Sequence, residues 1–105
     1  MTKDFIRHNT VLTELVQRLS GSGNYIHLEK EVEYFDDNHN VIGEVDVMGV
    51  RKDGRLVIYE IKENDNYKAR RHAKEQLIRA YEKAHFCVAP ILVYHSPQRT
   101  RRIYK

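Results

Sequence analysis

Cysteine and long apolar runs are what this sequence most clearly lacks. Its 105 residues contain one cysteine, Cys87, which excludes an intramolecular disulfide and a multi-cysteine zinc site. Because Cys87 lies among Phe86, Val88 and Ala89, we expect a buried structural thiol. A lone thiol suits a reducing cytoplasm, which is the location we expect. No apolar run approaches the length of a membrane span, so we expect no membrane partner.

Two catalytic signatures are also missing. The chain has no glycine-rich phosphate loop of the nucleotide-binding type and no serine-centred nucleophile elbow. ATPase and serine-hydrolase functions therefore lack support, and we expect no nucleotide cofactor. The six histidines show no metal-ligand spacing, which favours surface or core roles for them.

Composition and length predict one globular domain over residues 1–105. Hydrophobic residues make up 41% and charged residues 31%, a balance typical of folded proteins. The net charge of +3 is mild, but its distribution is uneven. The acids collect in the middle of the chain, at Glu29, Glu31, Glu33, Asp36, Asp37, Glu44 and Asp46. An acidic centre with basic segments after it suits a metal site served by phosphate-binding arms, although charge runs are also ordinary solvated faces.

Helical spacing marks the first element. Apolar residues recur at helical intervals at Val11, Leu12, Leu15, Val16 and Leu19. Asn9 or Thr10 is a candidate N-cap, and Gly21 is a candidate end. Glu14 lies on the margin of this apolar stripe, where it either points toward a site along the edge of the core or is an ordinary surface residue.

Three strands are predicted to follow as a meander. Ile26, Leu28, Val32 and Tyr34 alternate with polar residues, which predicts a half-exposed strand from Ile26 to Tyr34. Val41 to Val50 and Leu56 to Lys62 are the next two strands, and the Asp53-Gly54 pair is the turn signal between them.

A second helix and a final strand complete the predicted fold. Residues 63–66 cap a helix with an apolar stripe at Ala73, Leu77, Ala80, Tyr81 and Ala84. Ile91 to Tyr94 is a continuous apolar run, typical of a buried parallel strand. The predicted class is α/β (α+β), an α-β-β-β-α-β core with a mixed central sheet flanked by helices.

Charged side chains are concentrated on two neighbouring predicted strands. Glu60 and Lys62 share one face of the third strand, and Glu44 and Asp46 share one face of the second, because side chains two apart on a strand point the same way. Whether those faces coincide depends on the strand register, which the sequence leaves open. A structural ion-pair network is the alternative interpretation.

This pattern resembles the PD-(D/E)XK nuclease superfamily, in particular the small archaeal endonucleases of the Holliday-junction-resolvase type, and implies a restriction-endonuclease-like fold. Asp46 matches the motif aspartate, Glu60 and Lys62 match its second half, and Val45 replaces the motif proline. The resemblance implies catalytic roles for Asp46, Glu60, Lys62 and Glu14. It implies a Mg²⁺ site, with Mn²⁺ able to substitute, formed by Asp46, Glu60 and the backbone carbonyl of Ile61, with Glu44 as a further candidate.

The chemistry expected of these groups is phosphodiester hydrolysis. Carboxylate oxygens bind hard divalent cations, which neutralise phosphate charge and activate water, and an ammonium stabilises developing negative charge. The resemblance implies DNA, branched DNA in particular, as the partner, whereas the residues themselves leave DNA or RNA open. The predicted nucleic-acid-binding residues are Lys68, Arg70, Arg71, Lys74, Gln76, Arg101 and Arg102.

Two further possibilities concern assembly. A homodimer would place two active sites on opposing strands, with Phe35, Tyr67, Tyr94, Ile103 and Tyr104 as candidate contact residues, although closing the edge of a small core is an equal alternative for them. The rival functions are a catalytically silent nucleic-acid-binding module of the same fold and a nuclease subunit active only in a larger assembly.

Overall fold

Two helices and five strands form an α+β fold built on one mixed sheet. The structure is a computed structural model that describes the backbone of residues 3–105 and the side chains of residues 7–105. The elements, in chain order, are α1 (Lys3–Gly21), β1 (Tyr25–Phe35), β2 (Val41–Arg51), β3 (Leu56–Ile61), α2 (Tyr67–Lys83), β4 (Ile91–His95) and β5 (Thr100–Ile103). The predicted α-β-β-β-α-β order is confirmed, and β5 is an addition to it.

The strands lie in the sheet in their chain order. β1, β2 and β3 form an antiparallel meander, β3 and β4 are parallel, and β5 is antiparallel to β4. The β2–β3 turn uses Gly54 at φ 86, where the N–H of Gly54 donates to the carbonyl of Arg51. A residue without a Cβ adopts this left-handed conformation at no steric cost, which is why the Asp53-Gly54 pair marks the turn.

The helices cover opposite faces of the sheet, and each closes its own core. Leu12 and Leu15 of α1 pack with Val47, Tyr59 and Ile61. Leu77 and Ala80 of α2 pack with Val45, Ile58 and Leu92. Each fully buried leucine stabilises the fold by about 2 kcal/mol relative to an exposed one. Both helices are therefore anchored to the sheet by their buried faces.

The start of α1 differs from the prediction. The helix begins at Lys3, so Asn9 and Thr10 lie inside it instead of capping it. Both residues are exposed. At such positions a weak helix former lowers the stability of the helix by only about 0.5 kcal/mol relative to alanine. The helix continues to Gly21, as predicted. By contrast, α2 has the predicted kind of cap, because the side chain of Asn66 accepts a hydrogen bond of 2.8 Å from the N–H of Ala69.

The prediction of a buried thiol at Cys87 is wrong. Cys87 is exposed, as is its neighbour Val88, whereas Phe86 packs against the core on the α2 side. These residues lie in an irregular connection between α2 and β4. Phe86 packs against the core there, and the residues that follow it are exposed to solvent.

The predicted alternation of β1 is also wrong in part. Ile26 is 68% exposed instead of facing inward with Leu28. The β1–β2 register shifts between Tyr25 and His27, and a local irregularity of this kind disrupts the two-residue period. In addition, Leu28 packs on the α1 side of the sheet and Val32 on the α2 side. No helix within residues 3–105 is both long and apolar enough to cross a membrane.

Candidate functional site

β2 and β3 separate at their ends, and a carboxylate occupies the gap. Their pairing ends at Val47 opposite Tyr59, and the same register continued by one pair would set Asp46 opposite Glu60. There the side chain of Asp46 takes the place of a main-chain carbonyl as the acceptor. Its Oδ2 accepts a hydrogen bond of 2.8 Å from the N–H of Ile61. We call this gap, with the side chains of Asp46 and Glu60, the fork.

The backbone of β3 explains why that N–H is available. The next residue, Lys62, donates its own N–H to the carbonyl of His95 at the end of β4, at 2.9 Å. Successive N–H groups of a strand point to opposite sides, so the N–H of Ile61 points toward β2. Without Asp46, a buried donor at Ile61 would lack this acceptor, which costs about 1–3 kcal/mol.

The backbone opposite Asp46 is unusual on the β1 side as well. Lys30 pairs with Val47 and Val32 pairs with Val45, but the intervening Glu31 has φ 55 and makes no ladder pair with Asp46. A positive φ is uncommon outside glycine. Across this irregularity, Val45 packs on the α2 side and Val47 on the α1 side. Asp46 therefore lies where regular alternation is interrupted.

Asp46 and Glu60 form a buried carboxyl pair. Their side chains are hydrogen-bonded to each other, and the residues are only 8% and 4% exposed. Burial, the nearby negative charge of Asp46 and that hydrogen bond raise the pKa of Glu60 far above its ordinary value. Burial acts the same way on Asp46, but hydrogen bonds from His8, Glu60 and the Ile61 N–H outweigh it and lower its pKa. The two carboxyl groups therefore shift in opposite directions, and Glu60 is the more basic of the pair.

One oxygen of this pair has no partner. Within the described residues, Oε2 of Glu60 is buried and accepts no hydrogen bond. A buried polar atom without a partner is costly, so proteins rarely keep one without a use for it.

His8 completes the cluster from α1, and the sequence analysis missed it. Its Nε2 lies 3.4 Å from Oδ2 of Asp46. The hydrogen bond with Asp46 is the main cause that raises the pKa of His8, partly opposed by burial. A signal for this contact was present, because His8 is four and seven residues before Leu12 and Leu15. That spacing places it on the buried face of the helix.

Glu14, the α1 residue expected at the site, is exposed. No contact among the described residues joins it to Asp46 or Glu60. It lies six residues after His8, about 240° around the helix axis at 3.6 residues per turn. The two side chains therefore leave α1 in different directions, and the structure brings His8 and not Glu14 to the fork.

Lys62 lies beside the carboxyl pair and is held by α2. Its Nζ donates a hydrogen bond of 2.7 Å to Oε1 of Gln76 and lies 3.3 Å from Nδ1 of His72. The positive charge of Lys62 acts on Glu60, where it opposes the rise in pKa. The structure therefore places Gln76 at the site through Lys62.

Glu44 lies outside the buried cluster. It is exposed and pairs across the sheet with Glu33. Partial burial and the charges of Glu31, Asp46 and Glu33 raise its pKa. It therefore contributes negative potential at the rim of the fork without a described contact to Glu60.

The donor set suits a hard divalent cation, although no three or more His, Cys, Asp or Glu side chains of the described residues form a ready metal cage. Asp46 and Glu60 offer carboxylate oxygens, including the unpartnered Oε2. Such cations bind oxygen ligands and commonly keep several waters in place of further protein ligands. These carboxylate oxygens therefore fit a hard divalent cation.

The loop between β3 and α2 is held by Asp65. Its carboxylate accepts hydrogen bonds from Nη1 of Arg70 at 3.0 Å and from the hydroxyl of Tyr94 at 3.1 Å, and Nε of Arg99 lies 3.2 Å away. Burial opposes its ionisation, but these partners keep the pKa of Asp65 below its ordinary value. Arg70 therefore orders the loop that follows Lys62, besides its predicted role in phosphate binding.

The remaining predicted nucleic-acid-binding residues are exposed. Lys68, Arg71 and Lys74 lie on the outer surface of α2, and Arg101 and Arg102 lie on β5. Arg71 pairs with Glu75 one turn later, at 3.3 Å.

The set of candidate dimer contacts needs a correction at Tyr94. It is fully buried, with its hydroxyl bonded within the Asp65 network, so it is a core residue and is not available to a partner. Ile103 packs against the α2-side core. Phe35, Tyr67 and Tyr104 are exposed by 45%, 73% and 69%.

Comparisons of this chain with protein-family models, with curated proteins and with solved structures return no match.

Proposed function

We propose that this protein is a metal-dependent endonuclease of the PD-(D/E)XK type that hydrolyses phosphodiester bonds in DNA. The observation that carries the proposal is the fork, where Asp46 and Glu60 form a buried carboxyl pair within electrostatic reach of Lys62. Buried ionisable groups with opposed pKa shifts are typical of catalytic sites.

Asp46, Glu60 and the carbonyl of Ile61 would hold a Mg²⁺ or Mn²⁺ ion. When bound, such a cation neutralises phosphate charge and lowers the pKa of a bound water, which becomes the nucleophile. The N–H of Ile61 and the ring of His8 fix the orientation of Asp46. To hold the cation, Glu60 would have to be ionised, and its proton would pass to solvent.

Lys62 would act on the substrate. Its ammonium, positioned by Gln76, stabilises the negative charge that develops on the phosphate as the attacking oxygen approaches. Because the contact with Gln76 is made before substrate arrives, little reorganisation is required. Gln76 is therefore a positioning residue in this mechanism.

A catalytically silent nucleic-acid-binding module is the second candidate. It is favoured by the way the existing contacts already satisfy Asp46, which binds the N–H of Ile61, His8 and Glu60 without any cation. In that case the fork is a structural polar network. The unpartnered Oε2 of Glu60 favours the nuclease instead.

The finer parts of the proposal concern substrate, assembly and location. We propose branched DNA as the substrate and a homodimer as the active form, since paired cuts on opposing strands call for two sites. The single cysteine favours a cytoplasmic location. Sedimentation with and without a four-way junction tests the dimer, and a strict monomer in both conditions would contradict it.

The deciding experiment is an incubation of the purified protein with Mg²⁺ or Mn²⁺ and labelled junction, flap, duplex and single-stranded DNA. We expect cleavage that requires the metal and is lost in Asp46→Asn, a substitution that keeps an oxygen able to accept from the N–H of Ile61. Asp37→Asn is the matched control, because that acid is fully exposed in the β1–β2 turn. Equal cleavage by Asp46→Asn and wild type would refute the assignment.

A further inference from the structure

A groove between α2 and β5 collects cations and aromatic rings from two distant parts of the chain. Its volume is about 600 Å³, and its lining includes Tyr67, Arg70, Lys74, Arg101, Arg102 and Tyr104. We call it the α2–β5 groove. It exists only because β5 pairs with β4 next to α2.

The charged residues that line the groove are all cations. No aspartate or glutamate is among the described residues that line it. Lys74, Arg101 and Arg102 also have no described carboxylate within 4.0 Å, whereas Arg70 is paired with Asp65 and Arg71 with Glu75. Unpaired cations in a concave surface attract polyanions strongly and with a marked salt dependence.

Two tyrosine rings give the groove a second property. Tyr67 begins α2, Tyr104 follows β5, and both are mostly exposed, at 73% and 69%. The guanidinium of Arg102 lies 4.9 Å from the centroid of the Tyr104 ring. This cation–π contact covers one face of the ring and orients it. The rings have no role in the core, which is closed by other residues.

We propose that the α2–β5 groove binds single-stranded nucleic acid, with bases stacked on Tyr67 and Tyr104 and phosphates bound by Lys74, Arg101 and Arg102. Aromatic platforms inside a cationic groove are the arrangement that recognises unpaired strands, because every base has a flat face to stack. In a duplex those faces are hidden by neighbouring bases, so exposed rings would gain little from it.

The position of the groove connects this inference with the fork. Arg70 and Lys74 lie on one margin of α2, and His72 and Gln76 lie on the other, with the buried stripe between them. A strand in the groove would thus lie across α2 from Lys62. The inference rests on the proposed nuclease function for its meaning, since it names DNA with a single-stranded segment as the substrate, but its binding test is independent of cleavage.

The test is fluorescence anisotropy in EDTA, where no metal-dependent cleavage occurs. The probes are a labelled short oligothymidylate, an abasic strand of the same length, and a duplex. We expect wild type to bind the oligothymidylate about tenfold or more tightly than the abasic strand, since stacking contributes substantially per base. Tyr67→Ala with Tyr104→Ala should remove that preference, and the control Phe35→Ala, an exposed aromatic outside the groove, should retain it.

A charge variant separates phosphate binding from stacking. Lys74→Ala with Arg101→Ala should weaken binding to the intact and the abasic strand by the same factor, about tenfold at low salt. The matched control, Lys30→Ala with Lys52→Ala, removes two exposed lysines outside the groove and should change neither affinity. If the tyrosine-to-alanine pair fails to fold, the corresponding leucine pair tests the same loss of stacking.

Several outcomes would overturn the inference. These are equal binding of intact and abasic strands by wild type, a base preference that survives the loss of both tyrosines, or tighter binding of duplex than of single strand. Binding to phosphatidylserine vesicles without binding to the oligothymidylate would reassign the groove to anionic lipid. A change from dimer to monomer on loss of the tyrosines, with unchanged DNA affinity, would reassign it to a second copy of the chain.

Cleavage assays distinguish this failure from that of the proposed function. A base preference in wild type without any metal-dependent cleavage would leave the groove standing and refute the nuclease. Metal-dependent cleavage without a base preference would support the nuclease and refute the proposed role of the groove. Asp46→Asn should bind the oligothymidylate like wild type.

Discussion

The two margins of α2 border two charged regions that are built in opposite ways. On one margin, Gln76 faces the fork, where Asp46 and Glu60 are less than 10% exposed and the pKa of Glu60 is raised. On the other, Lys74 faces the α2–β5 groove, where the cations remain in solvent. Burial makes a charge strongly dependent on its few partners, whereas exposure lets charges act together through their field.

This difference has an energetic meaning. Burying a carboxyl pair costs stability unless every lone pair is satisfied, and Oε2 of Glu60 accepts no hydrogen bond from the described residues. Exposed arginines and lysines lower folding stability little, and the ion pair of a single one adds little to it. Substitutions in the fork should therefore change stability and chemistry, whereas those in the groove should change binding alone.

The largest effect is expected at Lys62. Lys62→Met keeps the length of the side chain but removes the charge, so kcat/KM for DNA cleavage should fall by about a thousandfold, as when a transition-state donor is lost. Oligothymidylate affinity should be unchanged, because Lys62 is across α2 from the groove. A parallel loss of affinity would show that the two margins form one binding surface.

Glu60→Gln is expected to stabilise the protein at neutral pH. The folded pKa of Glu60 lies far above the ordinary value of 4.5, so the stability that depends on its protonation is complete below 4.5 and is lost as pH rises toward the folded pKa. A glutamine side chain cannot ionise. The free energy of unfolding of Glu60→Gln should therefore match that of wild type near pH 4 and exceed it by about 2–3 kcal/mol at pH 7.

Urea unfolding across this pH range measures the effect. Added Mg²⁺ should raise the stability of wild type and leave Glu60→Gln unaffected, since the cation would occupy the place of the proton. A difference between the two proteins that stays constant from pH 4 to 8 would contradict the raised pKa of Glu60.

His8 and Glu14 provide a smaller test on α1. The pKa of His8 is raised mainly by its hydrogen bond with Asp46, so its stabilisation is complete at acidic pH and is lost as pH rises through the folded pKa. His8→Ala should lower the free energy of unfolding by about 0.5–1 kcal/mol near pH 6, a value reduced by partial exposure, and by less near pH 8. Glu14→Gln should change neither stability nor cleavage. A large loss of cleavage in Glu14→Gln would show that Glu14 does act at the site.

The smallest effect is expected at Arg71. Its ion pair with Glu75 is exposed, with side-chain exposures of 68% and 60%, and such i, i+4 pairs contribute about 0.3–0.5 kcal/mol. Arg71→Ala should therefore shift the unfolding midpoint only slightly, and high salt should remove the difference. A loss of more than about 1 kcal/mol would show that this surface is less solvent-screened than its exposure indicates.

Much of the fold could be predicted from the sequence because its signals are local. Helical spacing at Leu12 and Leu15, the cap at Asn66 and the Asp53-Gly54 turn act within a few residues. The two-residue period also predicted Glu60 and Lys62 on one face of the third strand, although β3 ends at Ile61, one residue before Lys62. Local signals were insufficient where the chain departs from regularity, as at Ile26 and Cys87.

Only the tertiary structure decided how the candidate site is built. Strand register brings Asp46 to Glu60, the end of β2–β3 pairing directs the N–H of Ile61 to Asp46, and α1 packing brings His8 to the same carboxylate. Each of these contacts joins residues far apart in the chain, and their geometry depends on which elements pack together. By itself, the sequence determined the elements and the residue types that each carries; their convergence at the fork and in the α2–β5 groove required the assembled sheet, because register and burial are properties of non-local packing.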